Sequence, residues 1–235
     1  MTGPARLHST PVQFAQEALA AVADPEKAAG MRAYMKTDMP FYGVQKTERT
    51  PILRDLVRMF PPSDQADYEG TVLALWALPH REEKYLALGV ARHFTTFVTP
   101  VSLPLYRRLI VEGAWWDLVD EVATHLICDL VVGYPSAVWP IIDTWIDSEE
   151  MWLRRSAIIC QVGAKERTDT HRLFRFCAQR AFEQDFFIRK AIGWALRQHA
   201  RTDPESVARF VIRHEGELSA LSYREATKHI GHLIA

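Results

Sequence analysis

The sequence predicts an all-α protein made of repeated helix pairs, and three observations support this fold class. Almost every segment of the 235 residues carries apolar side chains at helical spacing, and the breaks between segments are short. No stretch alternates with the period of a half-buried strand, so we expect no sheet. Similar helix sequences also recur about 35 residues apart, a period typical of stacked antiparallel helix pairs. We therefore predict a HEAT-like solenoid with a concave inner face.

Capping residues and prolines set the predicted helix boundaries. Asp24 and Asp64 precede apolar periodic segments as N-caps, Pro25 suits a first helical turn, and Pro79 ends a helix. The first substantial loop covers residues 38–44. The predicted helices cover residues 11–22, 24–36, 47–60, 63–78, 81–94, 101–111, 115–126, 138–146, 149–162, 170–182, 185–201, 204–214 and 219–233. Because no linker interrupts this series, we predict a single domain over residues 1–235.

Two of the helices are near copies. Residues 152–156 (Trp-Leu-Arg-Arg-Ser) and 187–191 (Phe-Ile-Arg-Lys-Ala) share the order aromatic, aliphatic, basic, basic, small, 35 residues apart. Trp115 stands 37 residues before Trp152. The tetratricopeptide signature is absent, so the HEAT-like class is the better match.

Composition excludes several classes of protein. With 48% apolar residues the chain can bury a substantial core. No signal peptide and no apolar run of membrane-spanning length is visible, which predicts a cytoplasmic protein that does not contact membranes. The three cysteines lie outside any CxxC spacing, so we expect reduced thiols, no structural metal and no cofactor.

Charge is uneven along the chain. The formal net charge of −1 gives no overall signal for nucleic acid, but residues 151–201 hold eleven Lys or Arg against four acidic residues, a local balance of +7. This region is either a solvated face with local ion pairs or a patch that binds a polyanion.

One helix carries a candidate site at the edge of its apolar stripe. Trp115, Leu118 and Val119 begin that stripe, while Trp116 and Asp120 share a neighbouring face one turn apart. An indole and a carboxylate then point together beside the core. Taken alone, such a pair is more often a packed Trp and an Asp paired with an Arg.

A second helix repeats this placement with cations. Trp194 lies at the edge of its apolar face, with Lys190 four residues before it and Arg197 three residues after it. On the helix between, Trp152 and Arg155 share a face. If stacked repeats align equivalent faces, these side chains meet on the concave side, where aromatic rings and arginines suit a nucleic-acid backbone and Asp120 suits a cationic group.

These motifs resemble the AlkD-type family of alkylpurine DNA glycosylases, bacterial HEAT-like proteins of base-excision repair. The match covers almost the whole chain and is weakest before Asp24. The motifs that carry it are Tyr34-Met35-Lys36, Phe41 to Gly43 with Gln45, Trp115 to Asp120, Trp152 to Arg155, Phe186 to Ile188, Lys190 to Trp194 with Arg197, Arg224 to Ala226, and Lys228 to Ile230.

The resemblance implies hydrolysis of the N-glycosidic bond of N3- or N7-alkylated purines in double-stranded DNA, without extrusion of the damaged base. It implies that Asp120, Trp116 and Trp194 are catalytic and that Arg155 and Arg197 contact the DNA backbone. Tyr34 would help to hold the lesion. Lys190 and Trp152 join the predicted DNA-binding set because they share the motifs and faces of these residues. We expect a monomer that needs no metal.

The chemistry agrees with this residue set. An N3- or N7-alkylpurine is already cationic and leaves as a neutral base, so one carboxylate suffices where ordinary glycosidases need two. Asp120 can stabilise positive charge at the sugar C1′ and orient water, provided that it is unpaired and open to solvent. The faces of Trp116 and Trp194 add cation–π attraction.

Two other functions stay open on the sequence. HEAT-like relatives include proteins that bind damaged or branched DNA without excising a base, and joint retention of Trp116, Asp120 and Trp194 favours the enzyme over this class. A solenoid that binds another protein is the third reading, and it would show no affinity for DNA.

Overall fold

The computed structural model describes residues 10–234, and this range consists of helices and connecting turns without a β-strand. The all-α prediction is therefore confirmed for the described chain. The α-helices are α1 (Pro11–Ala21), α2 (Pro25–Met35), α3 (Lys46–Met59), α4 (Gln65–Trp76), α5 (Arg81–His93), α6 (Leu103–Gly113), α7 (Trp116–Glu121), α8 (Cys128–Gly133), α9 (Pro135–Trp145), α10 (Met151–Ile159), α11 (Thr170–Gln179), α12 (Phe186–His199), α13 (Pro204–Arg213) and α14 (Ala220–Ala226). A π-helical segment, Val122–Ile127, joins α7 to α8, and short 3₁₀ turns lie at Thr95–Phe97, Pro100–Ser102, Lys165–Arg167 and Gly231–Leu233.

Helix starts follow the capping signals closely. The carboxylates of Asp24, Asp64 and Asp185 accept hydrogen bonds from first-turn N–H groups of α2, α4 and α12. The last predicted helix is shorter than expected, since α14 ends at Ala226. Beyond this end the backbone N–H of Ile230 donates to the Thr227 carbonyl three residues back, the spacing of a tight turn and not of an α-helix.

The described residues form two compact units, one ending at Phe97 and the other beginning at Val98. Residues 1–9 and 235, which belong to the predicted single domain, lie outside the described residues. The hypothesis of one domain over residues 1–235 stays a prediction.

A buried glutamate organises the loop of the first unit. The Glu82 carboxylate is fully buried and accepts hydrogen bonds from the backbone N–H groups of Tyr42, Gly43 and Val44. Gly43 has φ +84°, and a Cβ there would lie 2.0 Å from the Asp24 carbonyl oxygen, so a glycine is required. The glycine of the Phe-Tyr-Gly motif therefore has a structural role.

The second unit shows regular helical repeats. Helices α7, α10, α12 and α14 begin at residues 116, 151, 186 and 220, which are 35, 35 and 34 residues apart. Each of α9, α11 and α13 begins sixteen residues before the helix that completes its pair. Within the unit α10 packs against both α7 and α12, and α12 packs against α14. The predicted helical repeat is confirmed, and α7, α10, α12 and α14 occupy equivalent positions in successive repeats.

Two predictions from composition, the lack of a membrane-spanning helix and the presence of reduced cysteines, can be compared with the described residues. Between residues 10 and 234, no helix has both the length and the apolar character needed to cross a bilayer. Cys128, Cys160 and Cys177 are buried free thiols, as their spacing predicts.

Candidate functional site

The two adjacent tryptophans at the start of α7 have different conformations and surroundings. Trp115 adopts an extended conformation as the N-cap residue, with φ −154° and ψ 145°, so the helix begins one residue later than predicted. Its ring packs against Trp152 and Phe187, with centroid distances of 6.3 and 5.5 Å. Trp116 is the first helical residue and is half-buried.

The same packing buries Trp152, a residue that the sequence predicts to contact DNA. Its side chain is buried, at 6% exposure, and its ring centroid lies 4.8 Å from that of Phe187. Trp115, Trp152 and Phe187 thus form an aromatic cluster drawn from successive repeats, in which Trp152 is buried and the other two rings are half-buried. The ring of Trp152 is occupied by packing and does not present a face to a ligand.

Asp120 and Arg155 form an ion pair with two hydrogen bonds. Arg155 Nε donates to Asp120 Oδ1 at 2.8 Å, and Nη2 donates to Oδ2 at 2.7 Å. Arg155 Nη1 donates to the Phe187 carbonyl at 2.6 Å, so one guanidinium links α7, α10 and α12. The Arg155 side chain is 4% exposed, whereas that of Asp120 keeps 17%.

The pairing corrects two expectations. The catalytic interpretation requires an unpaired Asp120, whereas the structure has the alternative arrangement, an aspartate paired with an arginine. Arg155 is expected from the resemblance to contact the DNA backbone, but its side chain is buried and three of its five N–H groups donate within the protein. The physical reason is desolvation, because a carboxylate at the core edge costs several kcal/mol unless a cation compensates it. The sequence spacing of 35 residues brings that cation from the next repeat.

Asp120 nevertheless keeps capacity for a ligand. Each carboxylate oxygen accepts one N–H from Arg155, and no further donor to either oxygen is found among residues 10–234. A carboxylate oxygen accepts at two lone-pair positions, so each retains one for water or a sugar. Burial raises the pKa of Asp120 above its ordinary value, and the hydrogen bonds and charge of Arg155 oppose that rise.

A π-helical segment follows Asp120 directly. Val122–Ile127 widens the helix, and the Thr124 hydroxyl donates to the Asp120 carbonyl at 2.8 Å. Such segments recur at functional sites because they shift the faces of the residues on either side. Nothing in the apolar spacing indicates this segment, and the stripe residues Leu118, Val122 and Leu126 are buried as predicted.

Two cations of α12 pair with a carboxylate on α14, Glu225, for which the sequence pattern predicts no role. Glu225 of α14 accepts from Lys190 Nζ at 2.9 Å through one oxygen and pairs with Arg197 through the other. Lys190 is 39% exposed, Arg197 22% and Glu225 13%. The hydrogen bond from Lys190 is the main cause that lowers the pKa of Glu225. The only sequence signal for Glu225 was its place in the Arg224-Glu225-Ala226 motif.

The remaining predicted residues are placed as follows. Trp194 is half-buried on α12, in the stretch between Lys190 and Arg197. Tyr34 lies on α2 in the first unit, where its side chain is 75% exposed. No group of three or more His, Cys, Asp or Glu side chains suited to a metal ion is found within residues 10–234. Among the predicted site residues, the structure therefore pairs Asp120 with Arg155. It brings Lys190 and Arg197 together through their shared partner, Glu225.

Comparison with known proteins gives a family and a structural relative. The sequence model for the family described as DNA alkylation repair enzyme matches residues 15–230. A solved structure described as a predicted DNA alkylation repair enzyme from Enterococcus faecalis superimposes with a TM-score of 0.82 at 28% identity, covering 88% of this chain and 96% of that one.

A second structure, smu.31 from Streptococcus mutans UA159, has a TM-score of 0.59 at 16% identity, covering 79% of this chain and 98% of its own, and is similar in fold. No protein of curated function matches the chain. The family match spans nearly the whole sequence, including the helices that carry Asp120, Arg155 and Glu225. The chain belongs to the family of DNA alkylation repair enzymes.

Proposed function

We propose that this protein is a monofunctional DNA glycosylase that hydrolyses the N-glycosidic bond of N3- and N7-alkylated purines in duplex DNA. The observation that carries the proposal is the asymmetry of the Asp120–Arg155 pair. The arginine is almost fully buried, while the carboxylate keeps an exposed edge one helical turn from Trp116. Membership of a family of DNA alkylation repair enzymes supports the same conclusion.

The reaction needs few groups. When the C1′–N bond breaks, its electron pair moves to the cationic base, which leaves neutral without an added proton. The sugar is left with positive charge at C1′, which the ionised Asp120 stabilises electrostatically. A water molecule then forms the new bond to C1′ and loses a proton to Asp120 or to solvent, leaving an abasic site. Trp116 and Trp194 are proposed to add cation–π attraction to the same charge.

Arg155 takes a different part in this mechanism from that implied by the resemblance. Its two hydrogen bonds fix the orientation of Asp120, and its charge favours the ionised carboxylate in a site where burial disfavours it. It is therefore proposed as a positioning residue. Lys190 and Arg197 are the proposed backbone contacts, since both keep exposed surface.

The remaining features of the proposal concern the substrate and the state of the protein. DNA contact through sugar and phosphate is consistent with action without base extrusion, and Tyr34 is proposed to hold the lesion. A metal-free, cytoplasmic monomer stays a prediction.

A second candidate function is supported by one observation. Because both oxygens of Asp120 are bonded to Arg155, the pair could serve structure alone, and the protein would then bind damaged or branched DNA without excision. The test is chromatography of bases released from methylated duplex DNA by the purified protein. Release of 3-methyladenine or 7-methylguanine supports the glycosylase, whereas tight binding to this DNA without release supports the binding protein.

A further inference from the structure

Four equivalent helices of the second unit, α7, α10, α12 and α14, carry a series of charged side chains at the repeat interval. Asp120, Arg155, Lys190 and Glu225 lie 35 residues apart, one in each of α7, α10, α12 and α14. Neighbours in the series form ion pairs, Asp120 with Arg155 and Lys190 with Glu225. Glu225 therefore occupies the same repeat position as the proposed catalytic carboxylate, at the other end of the series.

The backbone is shaped to bring Glu225 close to α12. A Cβ at Gly193 would lie 2.5 Å from the Cβ of Glu225 and 3.0 Å from the Ser222 carbonyl oxygen, so only glycine permits this approach. The Ser222 hydroxyl donates to the Arg189 carbonyl at 2.9 Å and holds the two helices together. The Glu225 side chain therefore begins in contact with Gly193, the residue that precedes Trp194 on α12.

From this position one carboxylate contacts two cations. Lys190 and Arg197 are two turns apart on α12, on either side of Trp194, and each pairs with a different oxygen of Glu225. The lowered pKa of Glu225 is in keeping with an ionised carboxylate at neutral pH. The group of three side chains carries a net charge of +1, where the two cations alone would carry +2.

The same N–H groups are the proposed phosphate donors. A DNA phosphate that approaches Lys190 or Arg197 must compete with a carboxylate already hydrogen-bonded to both. Competition of this kind reduces the affinity for any duplex, because most nonspecific affinity comes from phosphate neutralisation. A repair protein that must leave undamaged DNA quickly gains from such a reduction.

We propose that Glu225 is a specificity-determining residue that competes with DNA phosphates for Lys190 and Arg197 and so weakens binding to unmodified duplex DNA. The inference rests on the part of the proposed function that makes DNA the partner, and it does not depend on base excision. Its test uses unmodified DNA, so absence of glycosylase activity would leave the result interpretable.

The test is fluorescence anisotropy of a labelled unmodified duplex with wild-type protein and Glu225→Gln over a series of salt concentrations. Glu225→Gln is expected to bind about fivefold more tightly at low salt, with a salt dependence steeper by about one unit of log–log slope. Glu225→Ala, which removes the side chain beyond Cβ, is expected to show a gain of the same direction. Thermal unfolding of each variant establishes that it is folded.

Glu183→Gln is the matched control. Glu183 also bridges two cations, Arg154 and Arg180, and is 12% exposed, so the variant makes the same change of charge at similar burial. Its affinity for DNA is expected to stay within twofold of wild type, on the order of experimental scatter. Unchanged or weaker binding by both Glu225 variants would overturn the proposal, as would an equal gain in Glu183→Gln or no DNA binding by the wild type.

Discussion

The two ends of the charge series differ in how the protein uses one repeat position. At the Asp120 end, a single arginine with 4% exposure holds the carboxylate through two hydrogen bonds. At the Glu225 end, the carboxylate is shared between two cations that keep 39% and 22% exposure. In the first arrangement a buried arginine holds a partly exposed carboxylate. In the second, the cations themselves are exposed and can contact a ligand. Burial of the cation, more than residue type, separates the proposed catalytic site from the proposed DNA-contacting site.

The largest expected difference between the two ends is in stability. Arg155→Met leaves Asp120 at the core edge without its partner and is expected to lower the free energy of unfolding by about 3–5 kcal/mol. Lys190→Met, at the exposed end, is expected to cost about 1 kcal/mol or less. Urea unfolding at neutral pH measures both values. Equal losses in the two variants would remove the distinction between a buried and an exposed pair.

A second difference concerns pH, because the pKa values of the two carboxylates are shifted in opposite directions. The pKa of Asp120 is raised from the ordinary 3.8 by burial, while that of Glu225 is lowered from the ordinary 4.5 by Lys190. Base release requires ionised Asp120, so its rate should fall as pH falls through the raised pKa, by about tenfold for each further pH unit. Stability from the Glu225 pair should be complete above 4.5 and be lost as pH falls through its lowered pKa.

The measurement for this prediction is a pH series of single-turnover base release, corrected for spontaneous loss of the base. The falling limb should begin above the ordinary aspartate pKa of 3.8. A rate that stays constant down to that value would show that the reaction does not depend on a carboxylate with a raised pKa.

The smallest expected difference is in the salt dependence of DNA binding. Lys190→Gln and Arg197→Gln should each reduce the log–log slope by about one, as expected for a lost phosphate contact. The double variant Asp120→Asn with Arg155→Gln leaves the net charge unchanged and should leave the slope unchanged, because Arg155 is directed inward. A slope reduced by about one in that double variant would return Arg155 to the role of a backbone contact.

Much of the fold could be predicted because its signals are local. Asp24, Asp64 and Asp185 mark helix starts through hydrogen bonds to residues two or three positions away, and the period of 35 residues is visible in residues 152–156 and 187–191. The residue types of the site were also recognisable, since Trp116, Asp120 and Trp194 lie at the edges of apolar stripes.

What the sequence could not supply are contacts between repeats. The pairing of Asp120 with Arg155 depends on how α7 and α10 are rotated against each other. The spacing of residues within one helix does not determine that rotation. The same holds for Glu225, whose reach to Lys190 and Arg197 depends on the close approach at Gly193. The π-helical segment at Val122–Ile127 interrupts a helix whose apolar spacing is regular.

The central claim is that Asp120, although paired with Arg155, supplies the charge that drives base release. Its most direct test is the single-turnover rate of 7-methylguanine release by Asp120→Asn, with Asp129→Asn as control because Asp129 is an exposed carboxylate on the following helix segment. The account predicts a loss of at least about a hundredfold for Asp120→Asn with DNA affinity retained, and a rate near wild type for Asp129→Asn. Release by Asp120→Asn at the wild-type rate would contradict it.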